Sequence, residues 1–188
     1  MKKKLFFLGL LFLLLTGIVN AQTKSNLQEK KMKTLVLYYS YTGNTKSIAQ
    51  EVQKKLNCNI AEIVPVVPYS TDYDTVVDQA HVDVNKEYKP EVKPLGVNIS
   101  DYDVIVIGSP VWWYHVASPV LTVLHLNDWS GKSVYTFATN AGWIGKTFDD
   151  FEKEMKGASI KSKMNIIFDN GKLKTSQSKI DEWINSIK

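Results

Sequence analysis

Apolar positions along the chain fall into two kinds of segment. Thr34–Tyr39 and Asp103–Ser109 are short, nearly unbroken apolar runs, the pattern of strands buried on both faces of a parallel sheet. Elsewhere apolar residues recur at helical spacing. Ile48, Val52 and Leu56 share one face of a predicted helix over Asn44–Leu56. Pro119–Leu126 is helical and apolar, Lys146–Met155 reads as a further helix, and Thr175–Ile187 carries Ile180, Trp183, Ile184 and Ile187 on one side. Asn59–Val64, Ser133–Ala138 and Lys163–Phe168 complete a set of five strands, with Pro65 and Pro68 ending the second. Tyr69–Leu95 is long for a connection. Weak spacing through Tyr73, Val76, Val77 and Ala80 predicts a helix inside it, and places His81 on a solvated face. Strands alternating with helices imply right-handed crossovers and an α/β fold whose parallel sheet is covered on both sides. In such sheets ligands bind at the carboxyl ends of the strands.

The amino-terminal pattern is different. Lys2, Lys3 and Lys4 precede an apolar run from Leu5 to Leu15, and Val19 and Ala21 fit a small-residue cleavage site. Residues 1–21 are therefore expected to be a signal peptide, 22–33 a polar linker and 34–188 one domain. The expected product is exported, periplasmic or otherwise extracytoplasmic. The run is shorter than the ~20 residues of a membrane span, so stable membrane insertion after cleavage is not expected. Without the three leader lysines, 20 lysines face 19 carboxylates, a net charge of +1. No basic stripe with interleaved aromatics points to nucleic acid. Arginine is absent, which removes the forked donor expected on a 2′-phosphate and disfavours a dedicated NADPH pocket. Cys58, the only cysteine, has no partner for an internal disulfide and reads as a small packed residue.

Candidate chemistry gathers where the first strand ends. Ser40-Tyr41-Thr42-Gly43-Asn44-Thr45 lies between strand and helix, where the first helical N–H groups point outward unpaired. Its hydroxyl and amide donors suit a phosphate, and Gly43 lets the backbone turn. The same residues also suit an ordinary capped helix, with Thr42 or Asn44 as N-cap. Neither the P-loop pattern nor the Gly-x-Gly-x-x-Gly fingerprint is present.

This loop resembles the Ser/Thr-x-Thr-Gly-x-Thr loop of the flavodoxins, which holds the phosphate of FMN with neutral donors. The resemblance implies the flavodoxin-like three-layer fold, with a five-stranded parallel sheet in the order 2-1-3-4-5. It also implies ligand loops after strands three and four. Pro110-Val111-Trp112-Trp113-Tyr114-His115, after strand three, is similar to the family's Pro-x-Trp-Trp loop beside the flavin ring. Large rings in a loop need a partner surface, and an isoalloxazine would provide one. The other reading has one tryptophan packed inward and the rest forming a surface patch. Thr139-Asn140-Ala141-Gly142-Trp143, with Gly145, resembles the Thr-x-x-Gly-x-x-Gly loop that closes over the other side of the flavin.

One departure stands out. Flavodoxins often carry a glycine beside the flavin N5, where the peptide turns on reduction, whereas Pro110–Ser118 has none. Bulky residues are poor candidates for positive φ. The expected behaviour is therefore closer to two-electron than to one-electron transfer.

Other chemistry is excluded or weak. His115 and His125 lack metal-ligand spacing, and Ser109 lacks the hydrolase elbow. Asp149 and Asp150 are expected to favour a helix start, and His115 to serve as a proton relay or flavin contact. The leading expectation is an FMN protein carrying electrons between redox partners, whether proteins or small donors and acceptors. The alternatives are an FMN-dependent NAD(P)H or quinone oxidoreductase of the same fold, and a flavin-free interaction module. No catalytic residue or oligomeric state is assigned.

Overall fold

The structure, a computed structural model, describes residues 32–188. The expected signal peptide and nearly all of the linker lie outside the described residues. The chain runs β1 (Thr34–Tyr38), α1 (Asn44–Leu56), β2 (Asn59–Glu62), α2 (Tyr73–Asn85), a 3₁₀ turn (Ile99–Asp101), then β3 (Val104–Trp112) and β4 (His115–Val116). It continues through α3 (Ser118–Leu126), β5 (Ser133–Asn140), α4 (Thr147–Glu154), β6 (Ser159–Asp169), β7 (Lys172–Leu173) and α5 (Gln177–Asn185).

Five strands pair in parallel in the order β2-β1-β3-β5-β6, the path the resemblance implies. The strand count corrects the expectation of five. Two-residue β4 and β7 add themselves antiparallel to β3 and β6, so the described residues hold seven strands. Both additions arise where a strand outruns its apolar run and folds back on itself. The expected helix in Tyr69–Leu95 is α2, which buries Val76 and Ala80 but leaves Tyr73 exposed.

Alternation along each strand supplies two cores. Leu35, Leu37, Ile105 and Ile107 face one way, with Val120, Val123 and Leu124 of α3 and Phe151 of α4 in the same cluster. Val36, Val104, Val106 and Phe137 face the other, with Ile48, Ala49 and Val52 of α1 and Ile180, Trp183 and Ile184 of α5. Each fully buried Leu, Ile or Val contributes about 1.5–3 kcal/mol. With both faces covered in this way, the carboxyl ends of β1, β3 and β5 open to solvent at one edge. Among the described residues, no helix is long and apolar enough to cross a membrane.

Candidate functional site

The loop after β1 is shaped by its backbone. Gly43 takes φ +92°, and a Cβ there would meet nothing within 4 Å, so the position needs glycine for its torsion rather than for space. Ser40 Oγ accepts from the Gly43 N–H at 3.1 Å. The first helical bond of α1 runs from Ser47 N–H to the Gly43 carbonyl at 2.9 Å, so Asn44, Thr45 and Lys46 present N–H groups with no intrahelical acceptor. The N-cap is Gly43, with no side-chain cap bond, instead of Thr42 or Asn44. Thr42 and Gly43 are exposed, Ser40, Tyr41 and Asn44 half-buried. The Tyr41 hydroxyl donates to the Ser70 carbonyl at 2.8 Å and ties the loop to the segment before α2. Lys46 is occupied by Glu62, 3.1 Å away, which leaves the loop's donors neutral.

Thr45 is buried. Its hydroxyl lies 2.7 Å from that of Thr139, which is likewise buried at the end of β5. This bond joins the first loop to the third. In the third loop, Asn140 holds Asn165 at 2.6 Å through its amide and accepts from Gly142 N–H at 2.8 Å. Ala141 and Gly142 are exposed, and Trp143 is the most exposed tryptophan, at 71%.

The stretch after β3 is a hairpin and not an irregular loop. Val111 pairs with Val116 and Trp112 with His115, with Trp113 and Tyr114 between them as the turn. Both turn residues have positive φ, 47° and 70°, the torsion sign that a two-residue hairpin favours and that Asn-Gly usually supplies. The expectation that bulky residues would avoid this region is therefore overturned. Left-handed backbone costs about 1–2 kcal/mol per residue and persists here because neighbours over-determine it. The absence of glycine no longer argues for two-electron behaviour, since the resting fold already holds these torsions.

The neighbours are identifiable. Ser109, fully buried, donates to the Pro110 carbonyl at 2.7 Å and accepts from Ala117 N–H at 2.9 Å, across the hairpin's base. Trp113 Nε1–H donates to the Val77 carbonyl of α2 at 3.0 Å, and its ring stacks on His81 at 4.1 Å with 31° between planes. The Tyr114 carbonyl accepts from Lys146 N–H at 2.7 Å. Gly145 lies so close to Tyr114 that a Cβ would stand 2.2 Å from the tyrosine Cβ. On the outgoing strand, Asp150 of α4 accepts from Val116 N–H at 3.0 Å and meets His115 Nδ1 at 2.9 Å.

The four rings therefore separate. Trp112 packs toward the core, edge-on to Tyr39 at 5.4 Å and to Tyr69 at 4.8 Å, while Trp113 and Tyr114 stay exposed. Burial raises the hydroxyl pKa of Tyr39, and that of Tyr69, whose bond to Asp83 at 2.6 Å adds to the shift.

Two hollows flank the hairpin. A shallow one of about 230 Å³ is lined by Val111, Trp113, Tyr114, Asn140, Ala141 and Trp143, so it brings the second and third loops together. Trp112 does not line it, and neither does the loop after β1. A larger cleft of about 730 Å³ lies against α2 and α4, with His115, Asp150, Trp113 and Tyr114 in its wall. Sequence reasoning missed the roles of Val77, His81, Tyr69 and Asp150. Asp150 stands in the first turn of α4 as expected, and what it holds is the hairpin.

A family model described as Flavodoxin matches residues 33–187. No curated protein matches the chain. The chain is similar to the crystal structure of a flavoprotein in complex with FMN from Lactobacillus acidophilus, at 26% identity and a TM-score of 0.64, over 81% of this chain and 98% of that one. It is similar at 27% identity and a TM-score of 0.70 to a candidate flavoprotein from Bacteroides eggerthii, over 83% of this chain and 98% of that one. A second such protein, from Bacteroides uniformis, matches at 24% identity and a TM-score of 0.70, over 82% and 99%, and speaks for the fold alone.

Proposed function

We propose that this chain, which belongs to the flavodoxin family, binds FMN at the carboxyl edge of β1, β3 and β5 and passes electrons between redox partners outside the cytoplasm. The observation that carries the reading is the joining of three loops at that edge. Thr45 and Thr139 share a hydrogen bond of 2.7 Å, and Gly145 sits against Tyr114 with no room for a side chain. A phosphate would take the outward N–H groups of Asn44, Thr45 and Lys46 together with the Thr42 hydroxyl. Gly43 leaves open space beside it, so these residues fit the group. Trp113, Tyr114 and Trp143, exposed around the 230 Å³ hollow, offer flat surfaces to an aromatic ring. FMN, when bound, supplies one- and two-electron redox chemistry, and the protein binds it and tunes its potential. Export rests on the leader pattern of residues 1–21.

A second reading, an FMN-dependent oxidoreductase acting on a small molecule, is favoured by the 730 Å³ cleft, whose size is that of a small-molecule site. One experiment addresses both readings. The mature protein, purified after export, should show the absorption bands of bound flavin. NADH or NADPH added without air should leave those bands in place if the protein is a carrier, and bleach them rapidly if it is a reductase. Protein that takes up no FMN would be an interaction module instead.

A further inference from the structure

The 730 Å³ cleft is a separate hollow from the one expected to receive the flavin ring. The two share only Trp113 and Tyr114, the hairpin tip that stands between them. On the cleft side, Trp113 lies against His81, so an aromatic surface fixed by the Val77 bond forms part of the wall. The tip keeps its left-handed torsions at both positions, and such strain persists where the surroundings impose it, frequently at ligand sites.

The charges of the cleft narrow what it accepts. Lys89, Lys146 and Lys153 face four carboxylates, those of Glu87, Asp149, Asp150 and Glu154. Three of these carboxylates are engaged, Glu87 with Lys153, Glu154 with His125 and Asp150 with His115. Lys89, Lys146 and Asp149 are left without an ion-pair partner among the described residues, so the unpaired charges of the cleft nearly cancel. A ligand without a permanent charge suits such a lining. His115 then provides the directional group. Its Nδ1 is held by Asp150 at 2.9 Å, while Nε2 has no hydrogen-bond partner among the described residues. A carboxylate on Nδ1 fixes the ring and, in the neutral tautomer that donates to it, makes Nε2 an acceptor.

We propose that this cleft binds a small planar aromatic molecule bearing an acidic hydroxyl, a phenol, with its ring on the Trp113–Tyr114–His81 wall and its O–H donated to His115 Nε2. As the ligand ionises, the proton moves from the phenol oxygen to Nε2, the O–H electron pair stays on the oxygen, and the Asp150 carboxylate balances the imidazolium charge. Asp150 is a positioning residue, acting on the ligand only through His115. The proposal deepens the small-molecule reading of the cleft and does not require FMN to be bound.

The test uses 4-nitrophenol, whose ionised form absorbs visible light, titrated into the mature protein with and without FMN. Saturable one-to-one binding is expected in both states, with the visible band of the bound phenol appearing at lower pH than in buffer. Asp150→Asn keeps an acceptor for Val116 N–H and should bind the phenol with a shift toward lower pH that is smaller than wild type. His115→Gln should abolish the shift. Trp143→Ala, which lies in the other hollow, should leave phenol binding unchanged. Leu121→Trp, which would fill the cleft from α3, should weaken binding at least tenfold. No saturable binding, a shift that survives His115→Gln, or displacement of 4-nitrophenol by FMN would each overturn the proposal. Phenol binding by a protein that takes up no FMN would leave it standing and defeat the FMN reading alone.

Discussion

The loop after β1 and the hairpin after β3 stand at the same sheet edge and are held in opposite ways. The first keeps its positive φ at a glycine with empty space around it, and its main internal bond joins residues three apart. The hairpin keeps two positive φ values at a tryptophan and a tyrosine, and its fastenings reach to Val77, His81, Gly145 and Asp150. The turn of the first loop is set by its own residues, while Tyr41 and Thr45 tie it to Ser70 and Thr139. A cross-braced hairpin depends on what surrounds it, so it is stiff only while every brace is present.

Glycine substitutions should break this comparison most clearly. Gly145→Ala would push a methyl group into Tyr114 at 2.2 Å in addition to the cost of its φ of 53°. It should lower stability by about 3 kcal/mol or more, combining overpacking with left-handed strain. Gly43→Ala meets no neighbour and should lose only the ~1–2 kcal/mol of the torsion. Urea unfolding measures both, and equal losses would show that the hairpin is not braced by the loop before α4.

The two tryptophans should then divide stability from binding. Trp112→Ala removes a ring packed against Tyr39 and Tyr69 and should cost about 3 kcal/mol, the low end for a large aromatic because the site is only half-buried. Trp113→Ala should cost less in urea and more in FMN affinity, with weaker quenching of tryptophan fluorescence on FMN addition. The reverse order would put Trp112 against the flavin.

Thr45 and Thr139 sharpen the link between loops. Either one replaced by Val leaves a buried hydroxyl without its partner, a loss of about 1–3 kcal/mol. The double replacement should lose less than the two singles combined, and additivity in a double-mutant cycle would deny the coupling.

The smallest effect is alkaline. Tyr39 and Tyr69 have hydroxyl pKa values raised by burial, and at Tyr69 also by its hydrogen bond to Asp83. A raised folded pKa contributes stability that is complete below the unfolded value of about 10 and is lost as pH rises beyond it. Tyr69→Phe should flatten the fall of stability above pH ~10, and an unchanged slope would remove Tyr69 as its source.

The same contrast explains what was legible in the sequence. Unbroken apolar runs at Thr34–Tyr39 and Asp103–Ser109 announced the parallel strands, since burial on both faces leaves no room for polar residues. Ser40–Thr45 could be located because its chemistry is contiguous. Trp113 and Tyr114 could not be read as a hairpin turn, because nothing adjacent favours positive φ and the braces come from residues about 30 positions away on either side. Asp150 looked like a helix-start carboxylate for the same reason, its bond to His115 being invisible without the fold.

The central claim, that the neutral loop after β1 receives the phosphate of FMN, is tested most directly by calorimetric titration of FMN and riboflavin into wild type and the Thr42→Val variant, which leaves the buried Thr45–Thr139 bond in place. One charge-assisted hydrogen bond of about 1.5–3 kcal/mol, that of the Thr42 hydroxyl, is at stake. FMN affinity should therefore fall by about 10- to 150-fold while riboflavin affinity changes little. Equal losses for the two ligands, or no loss for either, would place the phosphate elsewhere and contradict the account.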